Sequence, residues 1–290
     1  MTSTNRRAGS GGGYGLDEAS TVDSPTAQVT IGGDALSDRK IWLGTSWKMN
    51  KTIGEAIDYL DRLLPSLPVP GVQPFVAPPH TAIAAVRAHV PTGSPLLVGA
   101  QNAHWADEGA GTGEISMRMV RDAGAEFVEI GHSERRQLCG ETDEIVANKV
   151  RAALNAGLSP LVCVGEHASI RDQGDEIEFV LRQSRRSLSM IERSDVRQVI
   201  LAYEPVWAIG NVGREASAAE VEPVMHAIRA ALPDLRALLF GGSVHTGNAR
   251  TLLEDPATDG LFVGRAAWDV AGYLELLNIG SEVARRRRYV

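Results

Sequence analysis

Cysteine is almost missing from this 290-residue chain, which holds only Cys139 and Cys163. Two thiols cannot build a disulfide framework, and such scarcity fits a reducing compartment, so a cytoplasmic location is expected. No apolar run approaches the length of a membrane-spanning helix, so no membrane partner is expected. Positive charge is not in excess: 29 Lys and Arg stand against 36 Asp and Glu, for a net charge of −7 and a pI near 5.6. That balance argues against a general nucleic-acid binder but leaves room for a small anion in a local positive pocket. Metal-ligand spacing of His, Cys, Asp and Glu is absent, and no glycine-rich dinucleotide fingerprint follows the first strand-like run.

Large apolar side chains are also scarce in residues 1–38, which carry Gly11-Gly12-Gly13 and scattered Ser and Thr. Such a composition buries too little surface to offset its ordering entropy, and a disordered N-terminal tail is expected. The stretch lacks the apolar region of a secretory signal, and Asp17, Glu18, Asp23 and Asp34 run against a transit peptide. Residues 39–280 are expected to form one domain. Residues 281–290 are expected to form a basic C-terminal tail whose Arg285–Arg288 run is solvated, with contact to a polyanion as the lesser alternative.

In the body, short apolar runs recur: Ile41–Ser46, Pro74–Pro78, Leu96–Ala100, Phe127–Gly131, Pro160–Val164, Val199–Glu204, Ala237–Phe240 and Gly260–Val263. They are near-continuous rather than alternating, as strands of a parallel sheet buried on both faces are. Their spacing, about 31 residues, is that of one βα unit. Between them, Gly54–Leu64, Thr142–Ala156 and Ala218–Leu232 place apolar residues at helical spacing. Eight such units match an α/β fold of the closed (β/α)8 barrel type, with a doubly wound open sheet as the runner-up.

A barrel of this kind places its chemistry on the loops after the strand C-termini. Standing there are Ser46-Trp47-Lys48, His132-Ser133-Glu134, Glu204-Pro205, Gly241-Gly242-Ser243 and Gly264-Arg265. The two glycine loops follow the last two strands, where backbone N–H groups and a helix N-terminus commonly grip a phosphate; each loop by itself also suits a tight turn. Glu204 has apolar flanks, and a carboxylate desolvated by such walls becomes a stronger base, whereas a solvated strand-end glutamate has no such role. Pro205–Gly213, apolar in its middle, suits a lid that closes over a ligand. His132 is either a satisfied buried histidine or a neutral hydrogen-bond donor, since a helix start disfavours an imidazolium. Lys48 is a surface lysine, a Schiff-base former or electrostatic support for an anionic substrate. Cys163 reads as core, and Cys139 has no neighbour that would make it a nucleophile.

Several runs resemble the triosephosphate isomerase family. They are Trp47-Lys48-Met49-Asn50, Gly99-Ala100-Gln101-Asn102, Thr112-Gly113-Glu114, Gly131-His132-Ser133-Glu134-Arg135-Arg136, Cys163-Val164-Gly165-Glu166, Ala202-Tyr203-Glu204-Pro205-Val206-Trp207-Ala208-Ile209-Gly210 and Gly241-Gly242-Ser243-Val244, and the likeness spans residues 41–275. The resemblance implies a TIM barrel and an isomerase that moves a proton between adjacent carbons of a phosphorylated three- or four-carbon sugar. Glu204 matches the base, His132 the neutral electrophile and Lys48 the cation near the substrate. Gly210, Ser243, Gly264 and Arg265 match the phosphate-gripping positions, and Glu134 a carboxylate beside Lys48. The family pairs a carboxylate base with a neutral imidazole under a closing loop, so that pairing comes with the resemblance. The family uses no metal or organic cofactor. It is usually a homodimer, in which the loop holding Thr112 here enters the partner's site.

The departures from the family pattern are informative. Thr45-Ser46 stands where the family has Gly-Asn, and that asparagine touches the substrate. Asn211-Val212-Gly213-Arg214 replaces a Thr-Gly-Lys and is one residue longer. Phe240 lacks the tyrosine hydroxyl that helps latch the lid, and Arg265 replaces the second glycine of the last phosphate loop. Gly44–Thr52, Gln101–Asp107 and Gly264-Arg265-Ala266-Ala267-Trp268 resemble the branch of the family that acts in erythritol breakdown, interconverting L-erythrulose 1-phosphate and D-erythrulose 4-phosphate. Ser46 in place of asparagine leaves room for one more carbon. The alternatives are a glycolytic triosephosphate isomerase with tolerated substitutions, a non-catalytic sugar-phosphate-binding protein and a Schiff-base aldolase using Lys48.

Overall fold

Runs of Val, Ile, Leu and Ala become strands because β-branched and aliphatic side chains pack well on both faces of a covered sheet. The computed structural model describes residues 40–210 and 213–287. The expected tail at 1–38 and the positions Asn211, Val212 and Arg288 lie outside them. In chain order the elements are β1 (Ile41–Ser46), α1 (Ile53–Leu63), β2 (Val72–Ala77), α2 (Ile83–His89), β3 (Leu97–Ala100), α3 (Met117–Asp122), β4 (Phe127–Ile130), α4 (Ser133–Cys139) and α5 (Asp143–Asn155). There follow β5 (Ser159–Val164), α6 (Ala168–Arg171), α7 (Glu176–Ser187), β6 (Ile200–Tyr203), α8 (Ala218–Ala231), β7 (Ala237–Gly242), α9 (Ala249–Glu254), β8 (Gly260–Val263) and α10 (Val270–Arg287). The strands are parallel in sequence order, and β1 pairs with both β2 and β8, which closes the barrel. The open-sheet alternative is thereby excluded.

Closure divides the core into two layers. Ile41, Leu43, Val128, Ile130, Leu201 and Tyr203 face outward and pack under the helices. Phe75, Phe127, Leu161, Cys163, Ile200, Ala202, Leu239 and Phe262 face the lumen. The Phe75 ring stands edge-on to Phe127 at 5.4 Å and stacks near Phe262 at 5.8 Å. Their neighbours are small by necessity: a Cβ on Gly44 would fall 2.2 Å from the Phe75 ring, and one on Gly99 2.3 Å from Phe127.

β2 begins two residues before the expected Pro74, so a proline stands inside a strand. Proline has no N–H for the ladder. Tyr273 of α10 bridges the interruption, its buried hydroxyl donating to the Leu43 carbonyl at 2.8 Å and accepting from the Phe75 N–H at 3.2 Å.

The C-terminal basic segment also differs from expectation. Residues 281–287 are the last turns of α10, not a tail, and Arg285–Arg287 are helical. The Arg287 guanidinium donates to the carbonyls of Leu253 in α9 and of Asp255 and Thr258 in the chain that links α9 to β8. Arg286 pairs with Glu254 at 3.4 Å, and Glu282 on the same helix pairs with Arg250. Arginine at a helix C-terminus is favoured by the dipole, and here the planar guanidinium also caps carbonyls of a neighbouring segment.

Candidate active site

At the C-terminal end of the strands lies a cavity of about 780 Å³. Ser46, Lys48, His132, Glu134, Glu204, Gly210, Ser243, Gly264 and Arg265 all line it. Thr112 does not; it sits in an exposed turn between β3 and α3.

Glu204 follows β6 on the lumen side, in phase with Ile200 and Ala202. It is buried, and its Oε2 has no hydrogen-bond partner in the protein. Two glycines make room for it. A Cβ on Gly241 would lie 2.5 Å from its Oε1, and one on Gly165 1.9 Å from its carbonyl oxygen. The packing therefore fixes both ends of the residue while leaving one carboxylate oxygen unengaged.

His132 caps α4, and its Nδ1 accepts the backbone N–H of Glu134 at 3.1 Å. A ring nitrogen that accepts an N–H carries no proton of its own. The buried ring is then the neutral tautomer with its proton on Nε2, the atom 3.6 Å from Glu204 Oε2. A neutral N–H donor and an unengaged carboxylate oxygen thus face the same space.

Lys48 is held in the left-handed region at φ 52°, a conformation that costs about 1–2 kcal/mol for a residue with a Cβ. Gln101 compensates by donating its amide to the carbonyls of Lys48 at 3.0 Å and Ala77 at 2.9 Å. The ammonium pairs with Glu134 at 2.6 Å. Burial acts to raise the Glu134 pKa, but the hydrogen bond from Lys48 and the charge of that ammonium hold it below the ordinary carboxylate value. A lysine tied up in an ion pair suits support of an anionic ligand and works against a Schiff-base role.

The glycine loops after β7 and β8 also line the cavity, next to the β1 loop. Ser243 donates its hydroxyl to Ala208 at 2.7 Å, tying the β7 loop to the base of the lid-like segment. Arg265, which stands where the family has a glycine, reaches across to donate to the Gly210 carbonyl at 3.1 Å. Both ends of that segment are anchored. Trp207 donates to the buried Glu166 at 2.7 Å and lies between the guanidinium groups of Arg171 and Arg214. Arg214 in turn grips Glu220 with two hydrogen bonds, at 3.0 and 2.5 Å, and these hold the Glu220 pKa down at about 2.

One residue of this end escaped the sequence reasoning. Glu129 of β4 alternates with Phe127 and so points into the lumen, below the cavity. Its signal in the sequence is a carboxylate inside the apolar run Phe-Val-Glu-Ile, two residues before Gly131-His132. Burial raises its pKa to about 7, with the charge of Glu204 adding to the rise and that of Lys48 opposing it. Cys163 of β5 is core, as its sequence suggested, but it lies within the field of both carboxylates, and burial pushes its thiol well above the usual range. Among the described residues, no group of three His, Cys, Asp or Glu is placed to hold a metal ion.

The family model described as Triosephosphate isomerase matches residues 41–280. This chain belongs to the triosephosphate isomerase family. It is 45% identical over 251 residues to an L-erythrulose-1-phosphate isomerase of Mycolicibacterium smegmatis, covering 85% of this chain and 95% of the relative. It is also 45% identical over 247 residues to the protein of that name from Mesorhizobium japonicum, covering 83% and 97%. Among solved structures, the triosephosphate isomerase of Bartonella henselae superposes with a TM-score of 0.73 at 32% identity, over 83% of this chain and 98% of that one. The chain is accordingly an isomerase of this family with a barrel of the family's type.

Proposed function

We propose that this isomerase converts L-erythrulose 1-phosphate to D-erythrulose 4-phosphate through an enediol, with Glu204, His132 and Lys48 as its catalytic residues. The observation that carries the chemistry is the pair formed by Glu204 Oε2, buried and unengaged, and His132 Nε2, which bears a proton 3.6 Å away. Glu204 takes the proton from the carbon bearing the extra hydroxymethyl. The electron pair forms the enediol double bond while His132 donates to the adjacent carbonyl oxygen. Glu204 then returns the proton to the former carbonyl carbon, while His132 Nε2 takes back a proton from the other hydroxyl, whose oxygen becomes the ketone. Atoms and charge balance with no external reductant. Lys48 and the loops at Ser243, Gly264 and Arg265 hold the anionic end, Gly210 closes over it, and Glu134 keeps Lys48 in place.

The tetrulose assignment draws on Ser46 and on the relatives' names. Ser46 puts a small hydroxyl on the cavity wall, where an amide would occupy the space of the fourth carbon. Its carbonyl accepts from the Trp268 indole at 3.0 Å, which fixes the wall. A homodimer is part of this reading: Met49 and the turn at Thr112 stand exposed beside the mouth-forming loops of β1 and β3, as a partner-facing surface would. Two free cysteines suit a cytoplasmic enzyme.

The test is a side-by-side assay. kcat/KM for L-erythrulose 1-phosphate is expected to exceed that for dihydroxyacetone phosphate by at least about tenfold, roughly 1.4 kcal/mol of transition-state preference. Equal or better turnover of the triose would leave a triosephosphate isomerase. Sedimentation of the active enzyme as a monomer would remove the dimer.

A further inference from the structure

The cavity wall contains an indole that the isomerisation just described does not use. β8 pairs with β1, and Trp268, in the turn after β8, lines the cavity together with Ser46. The side chain is half-buried and packs against the outer core layer. Its Nε1 donates to the Ser46 carbonyl at 3.0 Å, so the indole stands at the end of β1. The main chain that carries it is held as firmly. Lys51 donates its ammonium to the Trp268 carbonyl at 2.8 Å, and Tyr59 donates its buried hydroxyl to the Ala267 carbonyl at 2.9 Å. The same ammonium lies over the Tyr59 ring at 4.8 Å and the Trp47 ring at 5.4 Å. Lys51 does this from a left-handed backbone, φ 73°, which costs about 1–2 kcal/mol for a residue with a Cβ. Such strain persists where the surroundings over-determine a conformation, commonly at ligand sites. Gly272 lets α10 close on the turn from behind, since a Cβ there would fall 2.2 Å from the Ala266 carbonyl oxygen. An indole tied at its N–H and at the carbonyls of residues 267 and 268 has little freedom to swing away from an entering ligand.

Room alone does not select a longer sugar. An extra carbon gains free energy when it leaves water for an apolar surface, and it raises kcat/KM only if that contact persists in the transition state. Ser46 supplies space and a hydroxyl but little apolar surface. We propose that Trp268 is a specificity-determining residue: its indole is the apolar wall on which the carbon at the substrate's non-phosphorylated end packs, in the room that Ser46 leaves. The non-phosphorylated end is where L-erythrulose 1-phosphate exceeds dihydroxyacetone phosphate, by one hydroxymethyl group. Assigning that carbon to the natural substrate rests on the tetrulose reading, whereas the discrimination of chain length by Trp268 does not. Contact with one carbon in an apolar pocket changes kcat/KM by about 10–200-fold. The rigid ties to Ser46, Lys51 and Tyr59 serve this role because a wall that yields would accept both sugars alike.

The experiment measures kcat and KM of the wild type, Trp268→Leu and Trp268→Phe on L-erythrulose 1-phosphate and on dihydroxyacetone phosphate, with thermal melts to show that each variant is folded. The quantity read is the tetrulose-to-triose ratio of kcat/KM. Trp268→Leu keeps an apolar side chain over the core and is expected to lower that ratio at least fivefold. The fall is expected mainly in KM for the tetrulose, with kcat/KM for the triose within twofold of wild type. Trp268→Phe keeps a ring but loses the bond to Ser46, and is expected to lower the ratio less, between two- and fivefold. A ratio unchanged within twofold would overturn the proposal, because a purely structural defect acts on both sugars alike. If Trp268→Leu does not fold, Trp268→Phe decides by the same criterion. If the wild type prefers dihydroxyacetone phosphate, the tetrulose reading falls by itself. The ratio still decides the role of Trp268: a fall in the variants supports it, and an unchanged ratio ends it.

Discussion

Two regions of one lumen, a single pleat apart, obey opposite rules. On β4 the lower inward position is Phe127 and the next is Glu129; on β6 Ala202 is followed by Glu204; on β1 Gly44 is followed by Ser46. The lower layer is filled by aromatic rings with glycines cut to fit them. The upper layer holds two carboxylates, each with a buried oxygen lacking a partner. Packing rules followed in the lower layer give stability, and their violation two residues higher marks where the molecule spends that stability on chemistry. The wall around the upper layer is pinned accordingly: Gln101 holds Lys48, the helix start holds His132, and Glu166 holds Trp207.

Substitutions in the two layers separate the roles. The largest effect is expected from Glu204→Gln, which removes the base and lowers kcat by on the order of 10²–10⁴ or more while the melting temperature stays within a few degrees. A variant retaining more than a tenth of wild-type turnover would refute the mechanism. Phe127→Ala is the mirror case. Emptying the lumen beside Phe75 is expected to cost about 3–5 kcal/mol in denaturant unfolding, with kcat per folded molecule little changed below the transition. A loss under 1 kcal/mol would mean that the lower layer is not the stabilising one.

Glu129→Gln tests the upper layer's cost. The folded protein holds this proton up to about pH 7, whereas the unfolded chain loses it near 4.5. The folded state therefore binds more protons between those values, and stability from this group falls as pH rises through that window, by on the order of 3 kcal/mol in all. Glu129→Gln is expected to gain on the wild type at pH 8 relative to pH 5; unfolding curves that shift equally at both pH values would show that the carboxyl is not a buried acid.

Smaller effects address selectivity. Ser46→Asn refills the wall and is expected to lower tetrulose kcat/KM about tenfold, about 1.4 kcal/mol, while sparing or improving triose turnover. Equal loss on both sugars would move selectivity to another residue. Arg265→Gly removes the guanidinium tie to Gly210 and is expected to raise KM roughly threefold, the scale of one exposed hydrogen bond. An unchanged KM would show that the tie does not assist closure.

Much of this was legible in the chain. The strand runs sit within two residues of the observed strands because strands covered on both faces need near-continuous apolar sequence. Ser46, Lys48, His132 and Glu204 could be placed at one mouth because they end or closely follow those runs. Pro74 misled by one rule: it reads as a boundary, yet Tyr273, 199 positions along the chain from it, takes over the ladder. The arginine run misled by another, since charge implies solvent until the loop between α9 and β8 offers carbonyls for a guanidinium to cap.

The sequence by itself determined the periodicity of the βα units, the glycine loops at the last two strands and the identity of each group at the strand ends. All of these are local properties, fixed by side-chain type and spacing. Only the tertiary structure decided which face of each strand meets the lumen. Where both faces are apolar the sequence does not mark the inner one, and closure of β1 on β8 is what turns Glu129 inward. Closure likewise sets His132 Nε2 opposite Glu204 and gives Arg265 the Gly210 carbonyl. Those pairs join residues from different strands, and their interaction depends on distances that no spacing along one chain encodes.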